Sequence, residues 1–256
     1  MTWRFLQNTV SENAVKLSDI VTVDNLLAVS KKRGYRVFED YRKPLNLNIW
    51  VVRSNNQEAG KFDDIQIVFW KDVDRWNVHK FSCTADPSDH YLLNPINPKG
   101  TAIVKPDQYR GVWKLGLHKG RANHPALVQN SAITVIRDFN RDAILDYKVP
   151  TNLYRKHKET TANNNAGLTT KWYNEDGILI HIEDTGYFGI NNHRAHRNII
   201  KDYVGNYSAG CIVQNDPHRY HDEFIPMIEE SIPHWGNAFT LTLITEETLR
   251  NAIRHI

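Results

Sequence analysis

The chain has 256 residues, of which 41% are apolar and 24% charged, and its net charge is +3. These values are typical of a globular protein with one large domain, and they argue against a disordered or fibrous chain. The small charge is spread along the sequence, which argues against a nucleic-acid partner, and the longest apolar runs are too short for a membrane span. The two cysteines, Cys83 and Cys211, are too few for a disulfide framework, and one of them is a candidate for chemistry.

Residues 1–45 are predicted to form a small helical element ahead of the main domain. Residues 24–33 have helical composition and a cationic last turn, and Gly34 follows where a glycine commonly ends a helix. Residues 35–38 predict a short strand.

Residues 46–256 are predicted to form one mainly β domain with peripheral helices. Five short runs of β-branched and aromatic or alternating residues predict strands at 48–53, 65–70, 78–84, 133–137 and 239–243. Asp216 followed by Pro217 predicts a helix start, and Pro226 should break or restart that helix near Ile225. The polar residues 147–172 predict a long inserted loop.

The stretch around Cys211 carries the pattern of a nucleophilic site. A cysteine becomes a useful nucleophile when a nearby base takes its proton, and His193 lies upstream in a segment that a neighbouring strand could supply. Gly210 directly before the cysteine lets the backbone approach a substrate carbonyl closely. The alternative is that Cys211 is a small buried apolar residue and His193 an ordinary surface histidine.

The spacing resembles that of the L,D-transpeptidases. In that family a histidine is followed, after a spacer of similar length, by Ser or Thr, any residue, Gly and Cys, and here His193 precedes the fourteen residues 194–207 and then SAGC at 208–211. The segments FGI at 188–190 and NPKGT at 97–101 are also similar to the family. A looser similarity of residues 186–213 and 94–109 is to phage-encoded members.

The resemblance implies an L,D-transpeptidase-like β-sandwich that acts on peptidoglycan stem peptides without a cofactor or a metal. Cys211 would be the nucleophile and His193 the base. The backbone amides of Gly210 and Cys211 would bind the oxyanion, and Ser208 would shape the turn. The substrate-binding residues expected nearby are Arg194, Tyr187, Asn191 and Tyr207.

The sequence departs from the family at Arg194, Ala209 and Val213, where many members have Gly or Ser, His, and Arg or Asn. Losing polar groups beside the cysteine weakens the positioning of an acceptor amine, so we expect hydrolysis of stem peptides through a thioester rather than cross-linking. An L,D-transpeptidase that forms cross-links and a non-catalytic cell-wall-binding or virion structural module remain open alternatives. The first residues lack a secretory signal, so we expect synthesis in the cytoplasm and action at the wall after lysis-type release or within a virion.

Two other patterns resemble metal sites but are incomplete. The histidine pairs His193/His196 and His218/His221 lack the further ligands of a zinc site, so surface histidines are favoured over a metal-dependent peptidase. Residues 138–146 match the start of a calcium loop, but Ala143 replaces the expected glycine, so a polar turn is favoured. Cys83 has no histidine or glycine neighbour of the right kind and is expected to be structural.

Overall fold

The computed structural model describes residues 15–56, 58–119, 123–141, 144–145 and 157–254. The helices in these ranges are α1 Leu17–Ile20, α2 Val23–Arg33, α3 Asp89–Leu93, α4 Pro217–Arg219, α5 Ile225–Trp235 and α6 Glu246–Ile253. The strands are β1 Asn48–Arg53, β2 Asp64–Asp72, β3 Arg75–Thr84, β4 Thr101–Val104, β5 Asp107–His118, β6 His124–Gln129, β7 Ile133–Asp138, β8 His157–Asn163, β9 Gly167–Tyr173, β10 Leu179–Gly186, β11 Asn192–Arg194, β12 Ile212–Gln214 and β13 Phe239–Thr245.

The strands form two sheets, so the prediction of a mainly β protein with peripheral helices is confirmed. The larger sheet closes into a barrel in the order β1-β13-β5-β6-β11-β12-β3-β2, and the smaller sheet has the order β4-β7-β10-β9-β8. The barrel differs from the two open sheets of a plain sandwich. It closes because β1 pairs with β2 on one side and, in parallel, with the late strand β13 on the other.

Strand β1 is buried along its whole length because both of its faces pack against apolar side chains. Ile49 and Val51 belong to the main core, whereas Trp50 and Val52 pack in a second core with α2 and α6. A strand covered on both faces is a continuous apolar run, which is the pattern that made this segment predictable.

The N-terminal helix is confirmed, but the strand predicted after it is wrong. Thr22 caps α2 by accepting from the Asn25 N–H, and Gly34 ends it with a φ of 70°. Residues 35–38 form no sheet ladder. Their backbone instead bonds to side chains, since the Phe38 N–H donates to the Asn48 side chain at 2.8 Å.

All five predicted strands are confirmed, but residues 157–173 are not a loop. They form the hairpin β8–β9, whose turn is closed by Asn163 Oδ1 accepting from the N–H groups of Asn165 and Gly167. The hairpin was missed because β8 is exposed on both faces and therefore shows no apolar alternation. The predicted loop residues 147–156, and residues 142, 143 and 146 of the calcium pattern, lie outside the described residues.

The helix predicted at Asp216 is confirmed. The Asp216 side chain accepts from the N–H groups of His218 and Arg219, and Pro217 occupies the first turn. One π-helical turn, Tyr220–Phe224, follows, and α5 restarts at Ile225 as Pro226 requires. Among the described residues, no helix has the length and apolar character needed to cross a membrane.

Candidate functional site

Two short parallel strands bring the predicted nucleophile and base into neighbouring segments. His193 in β11 lies opposite Val213 in β12, and the Ile212 N–H donates to the Asn191 carbonyl at 2.9 Å. Cys211 therefore lies beside Asn191, two positions along the pair from His193. Residues two apart on a strand share a face, so the register directs Cys211 and His193 to the same side of the pair.

The Cys211 thiol is partly buried and held between two backbone groups. The Asn191 N–H donates to Sγ, and the S–H donates to the Gly189 carbonyl, each at 3.5 Å. Burial raises the pKa of Cys211 to about 11, against the opposing effect of the Asn191 N–H. At neutral pH the site therefore holds a thiol rather than a thiolate.

Ser208 ties the turn before the cysteine. Its Oγ donates to the Cys211 carbonyl at 2.9 Å and accepts from the Gly210 N–H at 3.2 Å. Gly210 has a φ of 124°, and a Cβ there would clash with the carbonyl oxygen of Ala102, so only glycine fits. The Gly210 N–H donates to Ser208 Oγ within this turn. In this arrangement it is not free to bind an oxyanion, contrary to the prediction. The Cys211 N–H is the remaining predicted donor.

His193 is buried, with one ring nitrogen bonded and the other free. Its Nδ1 lies 2.8 Å from the Arg194 carbonyl, which only accepts, so Nδ1 carries the proton. Nε2 is buried with no hydrogen-bond partner among the described residues. Burial, aided by His118, lowers the pKa of His193 to about 3. The imidazole is therefore neutral, with an unprotonated Nε2.

The two predicted catalytic groups share no hydrogen bond within the described part of the chain. The Sγ of Cys211 contacts Gly189 and Asn191, while His193 contacts the Arg194 carbonyl. Both pKa shifts favour the uncharged forms, so they oppose a resting thiolate–imidazolium pair. Any proton transfer between them would have to accompany attack on a substrate. Contacts in unliganded catalytic sites are often longer than in the working complex.

Two further histidines, not singled out by the sequence, lie against His193. The His118 ring, at the end of β5, stacks on His193 with centroids 4.0 Å apart and planes at 15°. Its Nδ1 accepts from Asn191 Nδ2 at 3.1 Å. This bond connects Asn191, which contacts Cys211, to His118, which stacks on His193. His124, at the start of β6, packs edge-on with its centroid 6.0 Å from that of His193. The pairing of β6 with both β5 and β11 brings these rings together, so no local sequence pattern predicts the contact.

Arg194 is buried beside the same histidines without an acidic partner. It is 5% exposed, and its Nε donates to His221 Nε2 at 2.9 Å. The described residues place no carboxylate within ion-pair distance of it, and burial lowers its pKa. His221 comes from the π-helical turn and was predicted only as a surface histidine.

A cavity of ≈ 770 Å³ opens next to His193 and Arg194. Side chains that border it include Tyr91, His118, His124, His193, Arg194 and Tyr207. Of the predicted site residues, His193, Arg194 and Tyr207 border the cavity. Cys211, Asn191 and Tyr187 are not among the residues that border it, and Tyr187 is 48% exposed.

The segment that leads to the cysteine contact is tied to the barrel by Gln129. Its Oε1 accepts from the N–H groups of Phe188 and Ile190 at 2.9 and 3.0 Å. Trp113 is fully buried and donates to the Ile190 carbonyl at 2.9 Å. Cys83 is also fully buried, as expected of a structural cysteine.

No set of three or more His, Cys, Asp or Glu side chains among the described residues is arranged to hold a metal ion. His118 and His193 stack face to face instead of converging on one point. Comparison of the chain with protein-family models, with curated proteins and with solved structures gave no match. The arrangement itself offers a thiol, a neutral imidazole and a buried guanidinium around one cavity.

Proposed function

We propose that this protein is a cysteine-dependent hydrolase of peptidoglycan stem peptides, of the L,D-transpeptidase type, working in phage lysis or within a virion. One observation carries the proposal. The SAGC turn and the histidine strand lie side by side and in parallel, so that the Cys211 thiol and the unprotonated Nε2 of His193 belong to adjoining segments. The turn itself is fixed by Ser208.

In the proposed reaction, the Cys211 Sγ attacks the carbonyl carbon of the scissile amide as its proton passes to His193 Nε2. The Cys211 N–H binds the developing oxyanion. Collapse breaks the C–N bond, the proton moves from His193 to the leaving amine, and a thioester remains on Cys211. Water, deprotonated by His193, then attacks the thioester, releases the acid and restores the thiol. The Arg194 carbonyl holds the imidazole in the required tautomer throughout.

Hydrolysis is proposed over cross-linking because the flanks of the cysteine offer little to an amine. Val213 is fully buried, and the cavity is lined by the cationic Arg194 and Arg197, which repel an incoming ammonium. Water needs no dedicated acceptor pocket.

A second candidate is a non-catalytic cell-wall-binding or virion structural module. The raised pKa of Cys211 and the absence of a hydrogen bond between the described Cys211 and His193 side chains favour it. Such a module would bind stem peptides without forming a thioester.

The test is incubation with a tetrapeptide-bearing muropeptide, with and without excess acceptor amine, with products and protein resolved by mass. We expect shortened peptides at every acceptor concentration and an acyl adduct on Cys211. Cys211→Ala should abolish turnover, while the matched control Cys83→Ala should retain it. Cross-linked products that grow with acceptor would indicate a transpeptidase. Turnover by Cys211→Ala would end the cysteine mechanism, and binding without an adduct would favour the structural module.

A further inference from the structure

The cavity beside His193 has the composition of an anion-binding site. Its described lining contains two arginines, Arg194 and Arg197, and four histidines, and it contains no aspartate or glutamate. Arg197 is exposed at its rim, whereas Arg194 is buried at its wall. A volume of ≈ 770 Å³ is suited to the end of a peptide rather than to a single ion.

Arg194 is the strongest indicator of the ligand. Burying a guanidinium without a counter-charge is costly, and arginines at this depth are nearly always paired. The neighbours that act on its charge are Tyr220, Tyr207 and Arg197, and none is a carboxylate. Its Nε is held by His221, which leaves the two terminal nitrogens of the fork for a ligand. His221 accepts this bond at Nε2, so its imidazole is neutral.

We propose that this cavity is a carboxylate subsite, in which the terminal nitrogens of Arg194 grip a free carboxylate of the peptide substrate and His221 positions the guanidinium. This assignment rests on the proposed function, because it names the part of the stem peptide that the site recognises. His193, the proposed base, and Arg194 both border this cavity. A carboxylate held by Arg194 would therefore share the cavity with the proposed base.

A stem peptide has two sources of such a group, its C terminus and an acidic side chain. The full chain carrying Cys211→Ala, which cannot turn over, is titrated calorimetrically with a stem tetrapeptide, with its C-terminal amide, and with its side-chain amide. We expect one of the two amides to bind about 10- to 100-fold more weakly than the free acid, because a charge-assisted bond to the guanidinium is lost. The amide that binds more weakly identifies the carboxylate that Arg194 holds. Equal affinity of all three peptides overturns the subsite.

Substitutions assign the effect to Arg194. Arg194→Gln should remove the preference for the free acid, Arg194→Lys should retain part of it, and Arg110→Gln, an exposed arginine of β5 outside the cavity, should leave it unchanged. If Arg194→Gln does not fold, the comparison of peptides on the unaltered cavity still decides. An unchanged preference in folded Arg194→Gln overturns the assignment.

A small-anion arm separates this inference from the proposed function. Sodium acetate, compared with acetamide at equal ionic strength, should shift the imidazole NMR signals of His118 and His193 in the same protein, and Arg194→Gln should abolish the shift. Acetate binding without peptide binding would retain the subsite and reject the stem-peptide hydrolase. Turnover of the stem peptide by the wild-type protein, with no acetate shift and no effect of amidation in Cys211→Ala, would retain the hydrolase and reject the subsite.

Discussion

At the residue scale, the protonation state of Cys211 decides how the thiol reacts before any substrate arrives. With a pKa of about 11, the thiolate makes up about one molecule in ten thousand at pH 7. A thiol with the ordinary pKa of a peptide cysteine would be about two orders of magnitude richer in thiolate. Cys211 can therefore act as a nucleophile only if it loses its proton during attack, and otherwise it is unreactive.

The rate of alkylation measures the thiolate fraction of Cys211 directly. In the Cys83→Ala protein, the rate of modification by iodoacetamide should rise about tenfold per pH unit from pH 7 to 10, because only the thiolate reacts and its pKa lies near 11. Mass spectrometry follows the adduct, and a cysteine-containing peptide is the control. A rate that levels off below pH 8 would show a preformed thiolate and contradict this electrostatic picture.

His193 makes stability depend on pH in the acidic range. Its pKa falls from 6.5 in the unfolded chain to about 3 in the fold, so the unfolded state takes up the proton first. The free energy of unfolding should be greatest above pH 6.5 and fall as the pH drops toward 3, by up to about 1.4 kcal/mol per pH unit for this one group. His118 and His221 also have lowered pKa values and act in the same direction.

Urea unfolding of wild type and His193→Gln at pH 7, 6, 5 and 4 isolates the histidine. The stability advantage of wild type should shrink as the pH falls, since only wild type loses the contribution of a buried neutral imidazole. An advantage that stays constant with pH would mean that His193 titrates alike in the folded and unfolded states.

At the scale of elements, residues 205–211, which run from the 3₁₀ segment Gly205–Tyr207 to the start of β12, set the position of the cysteine. Gly205 and Gly210 in this segment make a matched pair. Gly210 packs against the carbonyl of Ala102 in β4, whereas nothing lies within 4 Å of a Cβ on Gly205, whose φ is 50°. Both glycines have positive φ, but only at Gly210 is there no space for a Cβ.

Gly210→Ala should therefore cost at least about 3 kcal/mol of unfolding free energy, because strain and a backbone clash combine. Gly205→Ala should cost about 1–2 kcal/mol, from its left-handed backbone alone. Urea unfolding measures both, and Cys211 should alkylate faster in the Gly210 variant as its turn opens. Equal costs would show that the contact with Ala102 is not tight.

The sequence predicts elements where burial leaves a pattern and fails where pairing alone makes the element. Apolar and polar residues alternate along β13, and β1 is a nearly continuous apolar run, so the sequence predicts both strands. Strand β8 pairs only with β9 and faces solvent, so it carries neither pattern. The same holds for the site. Cys211 and His193 stand out by their motif, but His118 and His221 reach it through the barrel closure and the π-helical turn, which no local spacing records.

At the scale of the whole molecule, the N-terminal helix shares a core with the barrel. Leu26 of α2 is fully buried in the same cluster as Trp50 of β1, Phe69 of β2 and Leu249 of α6. Arg53, at the end of β1, is also fully buried, with ion-pair contact to Asp86 at 2.8 Å and a hydrogen bond to the Val104 carbonyl. One strand thus joins the helical layer, the barrel and the edge of the second sheet.

Leu26→Ala should accordingly destabilise the whole protein by about 2–5 kcal/mol, because it leaves a cavity in a core that α2 and the barrel build together. Leu27→Ala, one position along the same helix and only partly buried, should cost clearly less. Unfolding followed by far-UV circular dichroism and by tryptophan fluorescence should give coincident transitions in each variant, since buried tryptophans of both cores, Trp50 and Trp113, contribute to the emission. An early transition seen by circular dichroism alone would show that the helix melts by itself, and the N-terminal element would then be an appendage to an independently stable barrel.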